Sequence, residues 1–317
     1  MNNIILFGGN FSQHIIKPCL LNFKNNLLKY EVTSSNLIKD KNESCYIDFL
    51  LDSELDTAII AVPPGENLNI IESLIKYSRI KKIFMEKPLS DSYENSKNIY
   101  DLALKNNITL FIDYSFNFFE PFIYLKKLIN QETVLSYSIT WDSKTKKNFK
   151  VLTDSWKNKL TNGGGGLMNF GSHIISLLLN FFGDINNIKS KLFNLRDPYI
   201  LDEYMGNFTF YHNDIIGEFI FNIHSENTPC FIFNIQTTNH LFELSTFEKD
   251  YFNGYNLYVD GKFAYSYKQN FCNIDSRIPI ISKALAYFFD NNDSTFLDNA
   301  LKTQFIIDRI RRENVKD

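Results

Sequence analysis

The sequence predicts an N-terminal α/β domain with a parallel, doubly wound sheet, followed by an α+β domain with a largely antiparallel open sheet. Three observations support this fold class. The length of 317 residues suits two domains, because domains usually hold roughly 100–200 residues. Short apolar runs alternate with helical periodicity up to about residue 113, as in βαβ units. Beyond residue 130, short strand-like runs follow one another, as in antiparallel sheets.

The elements of the first domain alternate in type along the chain. Strands are predicted at 4–7, 30–34, 57–62, 82–85 and 109–113, and helices at 15–27, 68–77 and 91–106. In such sheets ligands bind at the carboxyl ends of the strands. The segments Pro63-Pro64 and Glu86-Lys87-Pro88 follow predicted strands, so we expect them at that edge.

The second half of the chain changes pattern near residue 120, which predicts domains at 1–120 and 121–317. Helices are predicted at 122–129, 166–182, 279–289 and 295–311, and strands at 134–141, 208–211, 215–223, 231–235, 241–245 and 255–259. The last two helices can pack back on the first domain. Alternating Phe residues in the strands predict a sheet face turned toward a core; if both faces are apolar, one is a subunit interface.

Composition favours a small-molecule partner. Apolar residues make up 44% of the chain and charged residues 22%, and the net charge of −3 provides no electrostatic footprint for nucleic acid or an anionic membrane. The N-terminus lacks a signal-peptide pattern and no apolar run is long enough to span a membrane, so a cytoplasmic location is expected. The cysteines are scattered and no metal site is predicted.

The turn Gly8-Gly9-Asn10-Phe11 lies where dinucleotide-binding folds carry G-x-G-x-x-G, but Asn10 and Gln13 replace its second and third glycines. Two interpretations stay open: a shortened pyrophosphate site, or an ordinary strand-to-helix turn. The second strand ends in Ser34 and Ser35 instead of the acid that binds the adenosine ribose. Those serines either receive a phosphate-bearing NADP or bind nothing.

Two further segments carry candidate chemistry. Lys87, after a buried strand, can donate a proton to a carbonyl or hold a hydroxyl. A glycine run at 163–166 precedes a helix that places Asn169 and His173 on one face, and such a run permits close approach by a ligand. A lone helical His is more often structural. Tyr114 either contacts substrate or belongs to an aromatic core, which is slightly favoured.

These segments together carry a family resemblance. Ala61-Val62-Pro63-Pro64, Glu86-Lys87-Pro88-Leu89-Ser90 and the run from Gly164 to His173, in this order, resemble the Gfo/Idh/MocA oxidoreductases. The resemblance spans essentially the whole chain, including Trp156. It implies a Rossmann domain and hydride transfer between NAD or NADP and a sugar, sugar nucleotide or related polyol or carbonyl compound. It also implies a homo-oligomer that assembles through the C-terminal sheet.

The resemblance implies roles for individual residues. Lys87 and His173 would be catalytic, with Asn169 beside them, and Lys87 and His173 would face one shared pocket. The Lys87–Pro88 bond is expected to be cis. The expected substrate contacts are Lys87, Tyr114, Trp156, Asn169 and His173, and the expected cofactor contacts are Gly8, Gly9, Asn10, Phe11, Ser34, Ser35, Val62, Pro63, Pro64, Asn67, Glu86, Lys87 and Pro88.

The sequence also departs from the family pattern. Asn169 and Ser176 stand where acids are usual, and Asn67 stands where His is frequent. Asn169 can hydrogen-bond a sugar hydroxyl, but it supplies no negative charge beside His173. These changes motivate two alternative functions: a degenerate, non-redox binding or scaffold subunit, and a non-redox lyase or isomerase with a tightly held cofactor.

Overall fold

A computed structural model of the chain describes residues 2–21, 23, 26–32, 50–51, 55–143, 156–158, 160–194, 202–269 and 274–314. The chain divides into two compact units. The first unit comprises residues 1–115 and 277–305, and the second comprises residues 116–276 and 306–317. Every helix in the described ranges is too short or too polar to cross a lipid bilayer.

The first unit is built on a five-stranded sheet in the order β2-β1-β3-β4-β5, with every pair parallel. The strands are β1 (Asn2–Gly8), β2 (Asn26–Val32), β3 (Thr57–Ala61), β4 (Lys82–Glu86) and β5 (Thr109–Asp113). The order reverses direction between β1 and β3, and ligands of such sheets bind outside the carboxyl ends of the strands at this reversal.

Helices connect the strands of the first unit. A π-helical turn (Ser12–Ile16) continues as α1 (Lys17–Leu21), and the later helices are α2 (Asn67–Tyr77), α3 (Tyr93–Lys105) and α6 (Arg277–Asp290), while α7 (Thr295–Asn314) contributes residues to both units. Helix α3 begins at a Ser92 cap, whose hydroxyl accepts from the Asn95 amide. The buried apolar residues of β3, β4 and β5 form the core of this unit together with the inner faces of the helices.

The second unit is built on an eight-stranded sheet in the order β13-β12-β11-β10-β6-β9-β8-β7, antiparallel except for the β6–β9 pair. Its strands are β6 (Val134–Asp142), β7 (Asn187–Phe193), β8 (Met205–His212), β9 (Ile215–Asn222), β10 (Cys230–Thr237), β11 (Leu241–Thr246), β12 (Tyr255–Val259) and β13 (Lys262–Tyr267). Its helices are α4 (Glu120–Ile129) and α5 (Ser172–Phe182), which a π-helical turn (Leu167–Gly171) precedes.

The predicted fold class is confirmed, although some elements differ. The helix predicted at 15–27 ends at Leu21, and residues 26–27 belong to β2. The helix predicted from 166 begins as a π-turn. The edge strands β7 and β13 were not predicted. On the sheet, alternating Phe residues face the core as expected, whereas the opposite face mixes exposed Ile216 and Ile220 with Ser, Thr, Asn and Glu.

Candidate functional site

The turn after β1 contains two glycines with different surroundings. Gly8 has φ +150°, and a Cβ there would lie 1.9 Å from the Ser12 hydroxyl and 2.6 Å from the Ala61 carbonyl. Only glycine fits this position. Gly9 is exposed, and a Cβ there would meet no atom within 4 Å. The backbone at Gly9 is therefore open to a ligand in a way that the backbone at Gly8 is not.

The helix after this turn begins with an irregular first turn. Gln13 lies in the π-helical turn, which holds more residues per turn than an α-helix and thus shifts the side chains that follow. The Gln13 amide donates to the Gly9 carbonyl at 3.1 Å, and its buried side-chain Nε2 has no hydrogen-bond partner among the described residues.

A cation near this turn was not recognised in the sequence. The Arg277 guanidinium lies over the Phe11 ring, 5.3 Å from its centroid. Arg277 begins α6, more than 260 residues along the chain from Phe11, so no local pattern indicates the contact. It places a positive charge close to the predicted pyrophosphate turn.

Two loops at the carboxyl edge of the first sheet are joined through Asn67. Its side-chain nitrogen donates to the Pro88 carbonyl at 3.3 Å and to the Leu89 carbonyl at 3.2 Å. The Ser90 hydroxyl donates to the Pro64 carbonyl at 3.3 Å. Asn67 is 1% exposed and positions the backbone after Lys87, so the cofactor contact predicted for it is not supported.

Lys87 follows β4 directly, and its peptide bond to Pro88 is cis, as the resemblance implies. Lys87 is half-buried, whereas Asp113 at the end of β5 is fully buried. Burial raises the pKa of Asp113 well above its usual range, and the Glu86 charge raises it further, while the Ser115 hydroxyl and the Lys87 charge oppose the rise. Glu86, Lys87 and Asp113 thus form one electrostatic group.

The structure favours the core interpretation of Tyr114. This side chain is 1% exposed, and burial raises the pKa of its phenol, with a further rise from Glu86 and a lowering from the Thr303 hydroxyl. A side chain enclosed in this way has no surface left for a substrate. The substrate contact predicted for Tyr114 is therefore not supported.

His173 belongs to the second unit, near the start of α5. It is 7% exposed, and its ring stacks on Phe116 with centroids 5.0 Å apart. One turn further along α5, the Ser176 hydroxyl accepts from the Asn117 amide at 3.1 Å. Lys87 lies in the first unit, whereas His173 lies in the second. The pocket that the two residues are predicted to share therefore stays a prediction.

Other protein atoms occupy the space beside the glycines that precede α5. A Cβ on Gly164 would lie 2.5 Å from the carbonyl oxygens of Trp156 and Lys157, and one on Gly166 would lie 2.1 Å from the Glu203 carbonyl. Gly165 has φ +92° and faces the Glu203 carboxylate. The run therefore permits close packing within the protein, whereas the sequence suggested close approach by a ligand.

A buried ion pair, which the sequence analysis did not predict, stabilises the glycine run. Glu203 is 2% exposed, and both of its carboxylate oxygens accept from Arg311, at 2.6 and 2.9 Å. Arg311 also donates to the Gly164 carbonyl at 2.7 Å, and the Leu167 amide donates to Glu203 at 3.3 Å. These contacts fix the entry to the helix that carries His173.

The remaining predicted residues have mixed outcomes. Asn169 donates through its side-chain nitrogen to the Gly165 carbonyl at 2.8 Å and to the Lys157 carbonyl at 3.3 Å, so part of its amide stabilises the loop. Trp156 is half-buried in a 3₁₀ turn. Ser34 and Ser35 lie outside the described residues. Within the described ranges, no cluster of three His, Cys, Asp or Glu residues has a metal-binding arrangement.

Comparison with known proteins identifies the first unit. Residues 25–114 match the model of an oxidoreductase family with an NAD-binding Rossmann fold, GFO_IDH_MocA. Residues 25–114 therefore form a divergent Rossmann domain of the Gfo/Idh/MocA oxidoreductase family. The match confirms the predicted family and, at the level of that family, the predicted class of cofactor.

Curated relatives of this family resemble only part of the chain. An uncharacterized oxidoreductase of Schizosaccharomyces pombe is 24% identical over 145 residues, 46% of this chain and 38% of that protein. The scyllo-inositol 2-dehydrogenase (NADP(+)) IolW of Bacillus subtilis is 24% identical over 135 residues, 42% of this chain and 36% of that protein. The chain thus spans only 38% and 36% of the length of these two relatives.

Solved structures share the fold over nearly the whole chain. An oxidoreductase of Thermotoga maritima has a TM-score of 0.79 at 17% identity, covering 98% of this chain and 96% of that one. A super-repressor mutant of Gal80p from Saccharomyces cerevisiae has a TM-score of 0.80 at 15% identity, covering 99% and 96%. A levoglucosan dehydrogenase in complex with NADH and levoglucosan has a TM-score of 0.77 at 16% identity, covering 99% and 97%. Identities this low show the fold alone.

The first unit fits a dinucleotide at the turn after β1. The open space above Gly9, just before the helix that follows β1, is a feature that a phosphate group can use. The Arg277 guanidinium adds a positive charge nearby. The loops after β3 and β4 lie at the same edge of the sheet. These features are compatible with the cofactor of the family despite the loss of two fingerprint glycines.

Proposed function

We propose that this protein is an NAD(P)-dependent oxidoreductase of the Gfo/Idh/MocA family that acts on a sugar, sugar nucleotide or related polyol or carbonyl compound. The match of residues 25–114 to the NAD-binding family supports it. The observation that carries it is the position of Glu86-Lys87-Pro88 at the carboxyl end of β4, on the ligand-binding edge of that domain. The IolW relative and the levoglucosan dehydrogenase point to the same substrate class.

Each part of the site has a proposed role. Gly8, Gly9, Asn10 and Phe11 hold the pyrophosphate, with Ser34 and Ser35 nearer the ribose, and the segments Val62–Pro64 and Glu86–Pro88 hold the nicotinamide. The bound nicotinamide supplies hydride transfer. Lys87 orients and polarises the reacting oxygen of the substrate, and His173 exchanges a proton with it, while Trp156 and Asn169 contact the substrate.

Titration with NADH and with NADPH, followed by protein and nicotinamide fluorescence, tests cofactor binding. A Cβ at Gly9 meets no atom within 4 Å, so the side chain of Gly9→Glu starts in open space and brings a carboxylate toward the proposed pyrophosphate site. We expect Gly9→Glu to weaken binding by about tenfold or more because like charges repel, and the isosteric Gly9→Gln to weaken it less. Absence of saturable binding of both nucleotides by the unmodified protein would refute the proposal.

The catalytic roles are tested after binding is established. With a panel of sugars and sugar nucleotides, Lys87→Ala and His173→Ala should each abolish turnover, measured by nicotinamide absorbance. Circular dichroism checks that both variants keep the fold. Retained turnover in both would overturn the role assignment while leaving cofactor binding intact.

A binding or scaffold protein is the second candidate function. Asn10 and Gln13 in the cofactor turn, and Asn169 in place of an acid, favour it. It predicts no saturable nucleotide binding by a folded protein. The third candidate, a non-redox lyase or isomerase, predicts instead that NAD co-purifies and does not exchange with added nucleotide, which mass spectrometry detects.

We further propose that the chain forms a homo-oligomer through the open face of the second sheet. On this face, Ile216 is 49% exposed and Ile220 is 41% exposed. Ile220→Lys should lower the assembly mass measured by light scattering, whereas Leu104→Lys, at a 52% exposed helical position in the first unit, should not. An unmodified protein that is monomeric at micromolar concentration would refute this assembly.

A further inference from the structure

An aromatic ring lies against the imidazole of His173. The His173 ring and the Phe116 ring are stacked, with centroids 5.0 Å apart and planes inclined by 29°. His173 is 7% exposed and Phe116 is 0% exposed. Both residues belong to the second unit, so the contact is a property of that unit alone. One face of the imidazole therefore lies against an aromatic ring instead of water.

The orientation of Phe116 is fixed by its other neighbours. Phe116 lies in a 3₁₀ turn (Ser115–Phe118) that comes just before α4. Its ring contacts other aromatic rings of the same unit at centroid distances of 5.0 to 6.4 Å, among them Phe122, Trp141, Phe231, Tyr251 and Phe252. The ring cannot turn away from His173 without disturbing this cluster.

The same 3₁₀ turn is anchored to the helix that carries His173. The side-chain nitrogen of Asn117 donates to the Ser176 hydroxyl at 3.1 Å, and its side-chain oxygen accepts from Asn180 at 3.0 Å. Ser176 and Asn180 follow His173 by three and seven residues, so all three lie on one face of α5. The turn and the helix are thus held together beside the stacked pair.

The protonated form of His173 carries a charge in a site that is poor in charges. Burial disfavours the charged form of an ionisable group. Neither α5, nor the π-helical turn before it, nor the 3₁₀ turn contains a charged side chain. Charged groups on the elements packed around this pair have other partners, namely Lys126 with Asn180, Asp142 with Ser225, Glu203 with Arg311 and Asp250 with the Phe252 amide.

An aromatic face offers a different kind of stabilisation. Its quadrupole is negative above the ring and attracts a cation that lies within about 6 Å of the ring centroid. The centroid distance of 5.0 Å between His173 and Phe116 falls within this range. The attraction is stronger where water is excluded, as it is at this buried pair.

We propose that Phe116 is a positioning residue that holds the His173 imidazole in one orientation and stabilises its protonated form through the face of the aromatic ring. In the proposed reaction His173 exchanges a proton with the substrate oxygen. Phe116 thereby helps His173 to hold that proton in a site where Asn169 supplies no negative charge. The inference rests on the proposed function for its chemical meaning, but not for its measurement.

Nitrogen NMR of the unliganded, histidine-labelled protein measures the titration of His173, whose signal is identified by its absence from His173→Gln. Fluorinated phenylalanines with one, two or three fluorine atoms, incorporated at position 116, weaken the negative ring face in steps and nearly keep the ring size. We expect the His173 midpoint to move down along this series, by about 0.5 to 1 pH unit for the trifluoro ring, a roughly three- to tenfold weaker affinity for the proton.

The matched control places the same trifluoro ring at Phe210. This side chain is also 0% exposed in the second unit, and its ring stacks on Phe208, with centroids 5.8 Å apart. We expect the control to leave the His173 midpoint unchanged. A midpoint that stays constant or rises along the series at position 116 overturns the proposal, because an ordinary packing contact gives no preference to the protonated imidazole.

A second variant covers the case in which the fluorinated proteins do not fold. Phe116→Leu removes the aromatic face and keeps an apolar side chain against the imidazole, and circular dichroism checks its fold. We expect its His173 midpoint to move down as well. A lower free energy of unfolding with an unchanged midpoint would show that Phe116 serves packing alone, and would overturn the proposal.

None of these measurements uses nucleotide or turnover. Failure of NADH and NADPH to bind would therefore refute the proposed function and leave the effect of Phe116 on His173 measurable. Conversely, a constant His173 midpoint combined with normal nucleotide binding would refute this inference alone.

Discussion

Gly166→Ala tests whether the glycine run serves packing within the protein or approach by a ligand. The added Cβ would lie 2.1 Å from the Glu203 carbonyl oxygen and 3.2 Å from the Ile223 side chain. Contacts between a carbon and a backbone oxygen below about 3 Å are repulsive, so the backbone at Glu203 must move by roughly 1 Å. That backbone cannot move freely, because its side chain is held by Arg311 and by the Leu167 amide.

The expected cost follows from these contacts. Overpacking a rigid site costs about 1–3 kcal/mol, and disturbing a buried ion pair adds up to about 3–5 kcal/mol when one partner is lost. Because displacement weakens the ion pair without removing it, we expect Gly166→Ala to lower the free energy of unfolding by about 3 kcal/mol. Gly9→Ala is the matched control: its Cβ meets nothing within 4 Å, so its effect should stay within about 1 kcal/mol.

Urea unfolding of the unliganded protein, followed by tryptophan fluorescence, provides the assay. Both tryptophans, Trp141 and Trp156, belong to the second unit, so the signal reports on the unit that contains Gly166. If Gly166→Ala unfolds within 0.5 kcal/mol of the unmodified protein, a tolerance of about the error of such measurements, the packing interpretation is wrong. A loss of ligand affinity with unchanged stability would instead support ligand approach.

Three further predictions concern the first unit. Arg277→Gln removes the guanidinium beside Phe11. It should therefore weaken NADPH binding about three- to tenfold in calorimetry and reduce the salt dependence of that binding. Unchanged affinity would exclude a contact between Arg277 and a phosphate of the nucleotide. Asn67→Ala removes two hydrogen bonds to the loop after Lys87 and should cost about 1–3 kcal/mol in urea unfolding; a cost below about 0.5 kcal/mol would exclude a positioning role. Asp113 has a folded-state pKa above its unfolded value, so the folded protein retains its proton as pH rises and the stability of the unmodified protein falls until the folded pKa is passed. Asp113→Asn lacks this titration. The free energy of unfolding of Asp113→Asn, relative to that of the unmodified protein, should therefore rise with pH from about pH 4 and then level off. A difference in unfolding free energy that stays constant across that range would contradict the raised pKa.

The sequence predicted those parts of the fold whose signals are local. The strands β3, β4 and β5 were recognised within one residue at each end because each is a short buried apolar run that ends where polar residues begin. The edge strands β7 and β13 were missed because lysines and other exposed residues, which protect sheet edges, obscure the apolar alternation. Leu27 and its neighbours fit helical and strand periods equally, so the predicted helix ran into β2.

The candidate site shows the same limit at longer range. The position of Lys87 at a strand end could be predicted because the motif and the strand are adjacent in sequence. The contacts that explain the glycine run could not be predicted from the sequence, because the partners are far apart along the chain. Leu167 and Glu203 are separated by 36 residues, and Gly164 and Arg311 by 147 residues. In the sequence, a glycine that packs against a ligand looks the same as a glycine that packs against a carbonyl group of the protein. Only the fold distinguishes the two.

That distinction changes which glycines are informative about cofactor binding. The glycine run packs closely against Glu203, which Arg311 holds, so this packing gives a reason for the glycines whether or not the protein binds a cofactor. Gly9 has no such packing requirement, since any small side chain fits the space above it. A chain released from nucleotide binding has no steric reason to keep glycine there. The open turn at Gly9 therefore argues more strongly for a retained cofactor site than the glycine run that first drew attention to His173.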